Sequence, residues 1–87
     1  MKSILITGAS GGIGSEIAIH AGKQGYKVGL LDLNEEKLNE LQSIIPNSIV
    51  LPTDVTNENS VNESLGEFGD TPSALVNCAG IVRFGSL

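Results

Sequence analysis

At 87 residues, 40% of them hydrophobic and with only Tyr26, Phe68 and Phe84 as aromatics, the chain can bury one small core and has no room for a second domain. The formal net charge is -5 and the basic residues Lys2, Lys23, Lys27, Lys37 and Arg83 are scattered, which excludes a nucleic-acid surface. The lone Cys78 excludes an internal disulfide framework, no apolar run approaches the ~20 residues of a membrane span, and Met1-Lys2-Ser3 meets the first apolar run without a leader-like stretch, so a soluble cytoplasmic protein away from membranes is expected.

The apolar pattern alternates between two periods. Ile4-Leu5-Ile6 is continuously apolar, as in a strand covered on both faces. Ile13, Ile17 and Ala21 recur at helical spacing and predict a helix from about Gly12 to Gln24, capped by Gly25, with Ile13 on the buried face. Gly22 inside it is costly and suggests close packing. Val28-Gly29-Leu30-Leu31 predicts the second strand. Asn34 can cap the next helix, with Glu35 and Glu36 in its first turn, Leu38, Leu41 and Ile45 on its buried face, and Pro46 as its stop. Ile49-Val50-Leu51 follows as a strand, then a helix capped by Thr56 with Val61, Leu65 and Phe68 inward, then the strand Ala74-Leu75-Val76. This is βαβαβαβ without linker or repeat. It predicts one α/β domain with a parallel sheet, helices on both faces and strand order 3-2-1-4, and a ligand at the switch point between strands 1 and 4.

The segment Thr7-Gly8-Ala9-Ser10-Gly11-Gly12-Ile13-Gly14 joins the first strand to the first helix. A helix start carries unpaired N–H groups and partial positive charge, and glycines there let a backbone approach a pyrophosphate closely. Gly8 suits the tight turn, Gly12 the close approach and Gly14 the packing of helix on strand. Ser10 and the Gly11 backbone can contact phosphate or ribose, while Thr7 braces the loop. Asp32, 18 residues after Gly14, ends the second strand, where a carboxylate can accept from ribose hydroxyls. Beside a 2′-phosphate the same carboxylate is repelled, so NAD is favoured over NADP.

Gly8, Gly12 and Gly14 form T-G-x-x-x-G-x-G, and together with Asp32, Asp54-Val55 and Asn77-Cys78-Ala79-Gly80 they make the sequence resemble the short-chain dehydrogenase/reductase family over its whole length. The resemblance implies a Rossmann-like sheet, truncated here after strand 4, and an NAD-dependent oxidoreductase moving hydride between nicotinamide and an alcohol or carbonyl. It implies cofactor contacts from Gly8, Ser10, Gly11, Gly12, Ile13 and Gly14, then from Asp32 and Leu33. Asp54 and Val55 would meet adenine, and Asn77, Ala79 and Gly80 would leave room beside adenosine, with Asn77 tying strand 4 to its neighbours. Family members that use NADP often carry a basic residue where this chain has Gly11 or Leu33. Complete members are usually homo-oligomers.

Several residues carry blander readings. Asp54 before a helix is also a common turn residue. Cys78 has no histidine near it in sequence and reads as a small filler rather than a nucleophile. His20 has no second ligand candidate, so no metal site is expected. The family's catalytic Y-x-x-x-K and upstream serine are absent: Tyr26-Lys27 has the wrong spacing and enters strand 2 at the end away from the cofactor, so it reads as structural, and no catalytic residue is assigned. Three readings stay open. Residues 1–87 are the dinucleotide-binding half of a single domain, inactive alone; or a standalone non-catalytic dinucleotide-binding module; or a structural relic.

Overall fold

The computed structural model describes residues 2–69 and 71–79. They form β1 (Ser3–Thr7), α1 (Gly12–Lys23), β2 (Lys27–Asp32), α2 (Glu35–Gln42), β3 (Ser48–Pro52), α3 (Glu58–Phe68) and β4 (Ala74–Asn77). All strand pairs are parallel and the order is β3-β2-β1-β4, as the alternating periods predict. In the central register Ile6 lies between Leu30 of β2 and Val76 of β4, and Leu30 in turn faces Val50 of β3.

Why the strands lack alternation is visible in what each side chain meets. Ile4, Ile6, Val28 and Leu30 point to one side of the sheet and pack against Ala18 and Ala21 of α1, Leu38 and Leu41 of α2, and Ile45. Leu5, Leu31 and Leu51 point to the other side and close around Phe68 of α3. In the central strands β1 and β2 both faces are buried, so both phases are apolar. Full burial of each such side chain stabilises by roughly 1.5–3 kcal/mol relative to exposure.

The face that α1 buries differs from the expected one. Gly14, Ala18 and Ala21 are buried, whereas Ile13 is 72% exposed. At 3.6 residues per turn Ile13 lies about 80° from Ala21, on the side away from Gly14 and Ala18, so it falls outside the stripe those three bury. Small residues occupy the true stripe because α1 lies close to the sheet. Gly22 has the packing reason suspected from sequence: a Cβ there would come 2.7 Å from Cγ2 of Ile45. The helix ends at Lys23, and Gly25 follows its cap with φ +88°.

Asn34 caps α2 as expected, its side chain accepting from the Lys37 N–H at 3.1 Å. The α2 helix stops at Gln42, before Pro46, and Ile45 reaches the core from the turn beyond it. At α3 the cap is Asn57, accepting from the Ser60 N–H at 3.1 Å, and not Thr56. Thr56 is drawn backwards by Asp54, whose Oδ1 accepts from its N–H at 3.0 Å and its hydroxyl at 2.6 Å. The last turn of α3 is closed from β2: Lys27 Nζ donates to the Phe68 carbonyl at 2.8 Å and sits 4.5 Å from the centre of the Phe68 ring. Tyr26 is half-buried against the α1–α2 core, at the end of β2 opposite Asp32. Among the described residues no helix is long and apolar enough to cross a membrane.

Candidate functional site

The chain leaves β1 at Thr7 and turns at Gly8, which holds φ +67°. The Gly8 carbonyl accepts from the Gly11 N–H at 3.0 Å, and the Gly11 carbonyl from the Ser15 N–H at 2.9 Å, so the turn feeds directly into α1. A Cβ on Gly8 would stand 2.9 Å from the carbonyl carbon of Cys78, and one on Gly14 only 2.2 Å from the Gly8 carbonyl oxygen. These two glycines are fixed by the fold itself. Gly12 is not: a Cβ there would meet nothing within 4 Å. The space beside it is open.

The three helix starts differ in one respect. Asn34 and Asn57 close α2 and α3 with side-chain oxygens, and both helices carry glutamate in the first turn. The α1 start has Gly11 in extended conformation, no side-chain hydrogen bond and no acidic residue in its first turn. Partial positive charge is therefore neutralised at α2 and α3 and left open at α1. The opening suits an anion held by backbone N–H groups, and a pyrophosphate fits its bareness and charge.

Two struts set the walls. Thr7 Oγ1 donates to Asn77 Oδ1 at 2.9 Å, the same oxygen accepts from the Ala79 N–H at 3.2 Å, and the Cys78 N–H donates to the Thr7 carbonyl at 3.1 Å. Together they lock the ends of β1 and β4. On the other side the Ala9 N–H donates to the Leu31 carbonyl at 3.2 Å, and Ser10 reaches Asp32: its hydroxyl lies 2.5 Å and its N–H 3.1 Å from Oδ2. Asp32 Oδ1 accepts from the Leu33 N–H at 2.7 Å. Burial works to raise the Asp32 pKa, but hydrogen bonds from the Ser10 hydroxyl and from the N–H groups of Ser10, Leu33 and Asn34 outweigh it and hold the carboxyl below its ordinary value. Asp54 is likewise held low, by the Thr56 hydroxyl and N–H.

Gly8, Asp32, Leu33, Asp54, Val55 and Ala79, which the sequence singled out from four separate segments, converge on a cleft of about 110 Å³ at the C-terminal ends of the strands. Ser10 and the Gly11–Gly14 run form the adjoining turn and helix start, Asn77 stands at the end of β4, and Gly80 lies outside the described residues. Thr53 and Thr56 also line the cleft and were not anticipated; Thr53 is buried, with its hydroxyl 2.6 Å from that of Ser64. Two of the exposed large hydrophobics, Ile13 and Leu33 at 72% and 71%, belong to the α1 start and to the cleft, where they give apolar surface without a covering protein group among the described residues. Larger hollows lie between α1 and α2, where Ser10 and Ser15 form part of the lining, and around Lys2, His20 and Tyr26 at the far end of the sheet. Among the described residues no group of three metal-ligating side chains comes together.

Comparison with known proteins places the chain. The sequence pattern of the short chain dehydrogenases matches residues 2–87. An uncharacterized oxidoreductase of Staphylococcus haemolyticus is 40% identical over 84 residues, covering 91% of this chain and 36% of that protein. The NADPH-dependent pterin aldehyde reductase of Arabidopsis thaliana is 34% identical over 88 residues, covering 94% and 36%. Among solved structures, a 3-oxoacyl-[acyl-carrier protein] reductase from Brucella melitensis with bound NAD superposes with a TM-score of 0.80 at 28% identity, covering 97% of this chain and 34% of that one. The chain thus spans about a third of the length of the relatives it matches.

Proposed function

Since the chain belongs to the short-chain dehydrogenase family, we propose that residues 1–87 are the dinucleotide-binding half of a single Rossmann-type domain in an NAD-dependent oxidoreductase acting on an alcohol or carbonyl substrate. The observation that carries this reading is the open, uncapped start of α1 beside the Asp32 carboxylate at one end of a parallel sheet. The bound dinucleotide would supply the hydride acceptor or donor. This chain's residues do the holding. The N–H groups of the first turn of α1 would face the pyrophosphate, with Gly12 leaving them bare. Asp32 would accept from the adenosine ribose, and Val55, with Asp54 turned by Thr56, would flank adenine. Leu33 and Ile13 would lose exposed apolar surface to the ligand.

NAD is proposed over NADP because an ionised Asp32 repels a 2′-phosphate and neither Gly11 nor Leu33 offers a positive charge to offset it. The Brucella relative with bound NAD supports the cofactor class, while the NADPH-dependent relative shows that family membership alone does not choose between the two. Catalysis is assigned to residues outside this chain, and the 87 residues alone are proposed to be inactive: the only tyrosine, Tyr26, lies at the opposite end of β2. A cytoplasmic location and a homo-oligomer of the intact protein complete the proposal.

Calorimetric titration of the intact protein with NAD and NADP tests it. Wild type should prefer NAD, and Asp32→Ala should weaken NAD by about tenfold, the size of a lost charge-assisted hydrogen bond, while NADP binding holds or tightens. A wild type that prefers NADP, or a ratio untouched by Asp32→Ala, would contradict it.

A further inference from the structure

The carboxylate proposed to read the ribose is not free to choose its own direction. Asp32 is only partly buried, and among the described residues no positively charged partner orients it; what fixes it is a set of hydrogen bonds from the turn after β1 and the chain beyond β2. Oδ2 receives both donors of Ser10, the hydroxyl at 2.5 Å and the N–H at 3.1 Å, from the turn that follows β1. Oδ1 receives the Leu33 N–H at 2.7 Å, from the chain immediately beyond β2, and the Asn34 N–H also supports the carboxyl. A carboxylate oxygen has about two lone-pair sites, and the two donors of Ser10 take both on Oδ2.

The surroundings of the two residues differ. Asp32 lines the small cleft with Leu33, Asp54, Val55 and Ala79. Ser10 lines a different hollow, of about 330 Å³, between α1 and α2 with Ser15, Ile19, Lys37 and Leu41. The Ser10 hydroxyl therefore ties Oδ2 to the turn that follows β1.

We propose that Ser10 is a positioning residue for nucleotide selectivity: its hydroxyl anchors Oδ2 to the glycine turn and so presents Oδ1 to the ribose hydroxyls of NAD. This rests on the reading of Asp32 as the ribose acceptor and adds a second residue on which that reading depends. The lowered pKa of Asp32 agrees with it, since the Ser10 hydroxyl is the strongest of the hydrogen bonds that keep the carboxyl ionised. An anchored, ionised Asp32 both welcomes a 2′-hydroxyl and repels a 2′-phosphate. Without the anchor the carboxylate can swing, and both effects weaken together.

The test is the ratio of NAD to NADP affinity in the intact protein, read by calorimetry for wild type, Ser10→Ala, Ser10→Thr and Asp32→Ala, together with the Asp32 carboxyl titration read by carbon-13 NMR. Ser10→Ala should weaken NAD by about tenfold, tighten NADP and move the Asp32 titration upward, and Ser10→Thr, which keeps the hydroxyl, should restore all three. Unchanged or tighter NAD binding by Ser10→Ala, with Asp32→Ala still altering the ratio, would overturn the role of Ser10 and leave that of Asp32 standing. A ratio that Asp32→Ala does not move would overturn both. Should Ser10→Ala fail to fold, the wild-type titration decides alone: an Asp32 carboxyl at or above the ordinary aspartate value would sink the proposal.

Discussion

Gly12 and Gly14 stand two residues apart and answer to different demands. An added Cβ at Gly14 would collide with the Gly8 carbonyl at 2.2 Å, and backbone cannot yield as a flexible side chain can. The Gly14→Ala change should therefore unfold or severely destabilise the domain, by several kcal/mol on the scale of overpacking. At Gly12 the Cβ meets nothing, so Gly12→Ala should leave the unfolding free energy within the ~0.5 kcal/mol scatter of surface changes while lowering dinucleotide affinity at least about tenfold. Paired thermal melts and titrations separate the two. Equal loss of stability in both variants would contradict the assignment of Gly12 to the ligand. Asp32 makes a prediction in pH. Its folded pKa lies below its ordinary value of 3.8, so its contribution to stability is fully present above that value and fades as pH falls through the lower folded one. Between about pH 6 and about pH 3 wild type should lose more thermal stability than Asp32→Asn; equal losses would show that the Ser10 and Leu33 hydrogen bonds do not favour the charged form. At this scale the sequence picked out residues that the fold brings to one cleft, because the glycine spacing and the strand-end acid each have a chemical reason. It did not show the Ser10–Asp32 bond, which joins residues 22 apart and depends on how the β1 turn folds back against the end of β2.

At the scale of elements, caps were legible where one candidate stood alone and ambiguous where two stood together. Asn34 precedes two glutamates and has no rival, and it caps α2. Thr56 and Asn57 are both good caps, and the choice fell to Asn57 because Asp54 had already taken the Thr56 hydroxyl and N–H. The buried face of α1 was misjudged at Ile13 because a four-residue repeat drifts on a real helix and because glycine and alanine, which carry the true stripe, give little hydrophobic signal. The missing cap at α1 was visible only by comparison with α2 and α3. It invites a direct test. Gly11 has an ordinary backbone conformation, and a Cβ there would meet only the Gly8 carbonyl oxygen at 3.4 Å. Gly11→Asp should raise stability by a few tenths of a kcal/mol through capping while weakening dinucleotide binding by repelling the pyrophosphate. Tighter NAD binding by this variant would contradict an anion at the α1 start.

For the molecule as a whole, the strand order β3-β2-β1-β4 follows from alternating periods and parallel pairing, and the C-terminal ends of the strands follow as the place for a ligand. Leu75 of β4, at 41% exposure, marks the side of the sheet with least cover among the described residues. The substrate is not legible at any scale, since the cleft residues present here are the ones proposed for the nucleotide and the relatives are nearly three times as long. The most direct measurement is a crystal structure of the intact protein with NAD. The account predicts the pyrophosphate over the Gly11–Gly14 backbone, a ribose hydroxyl on Asp32 Oδ1 and adenine beside Asp54 and Val55. A nucleotide seated in the α1–α2 hollow, or a pyrophosphate away from the start of α1, would contradict it.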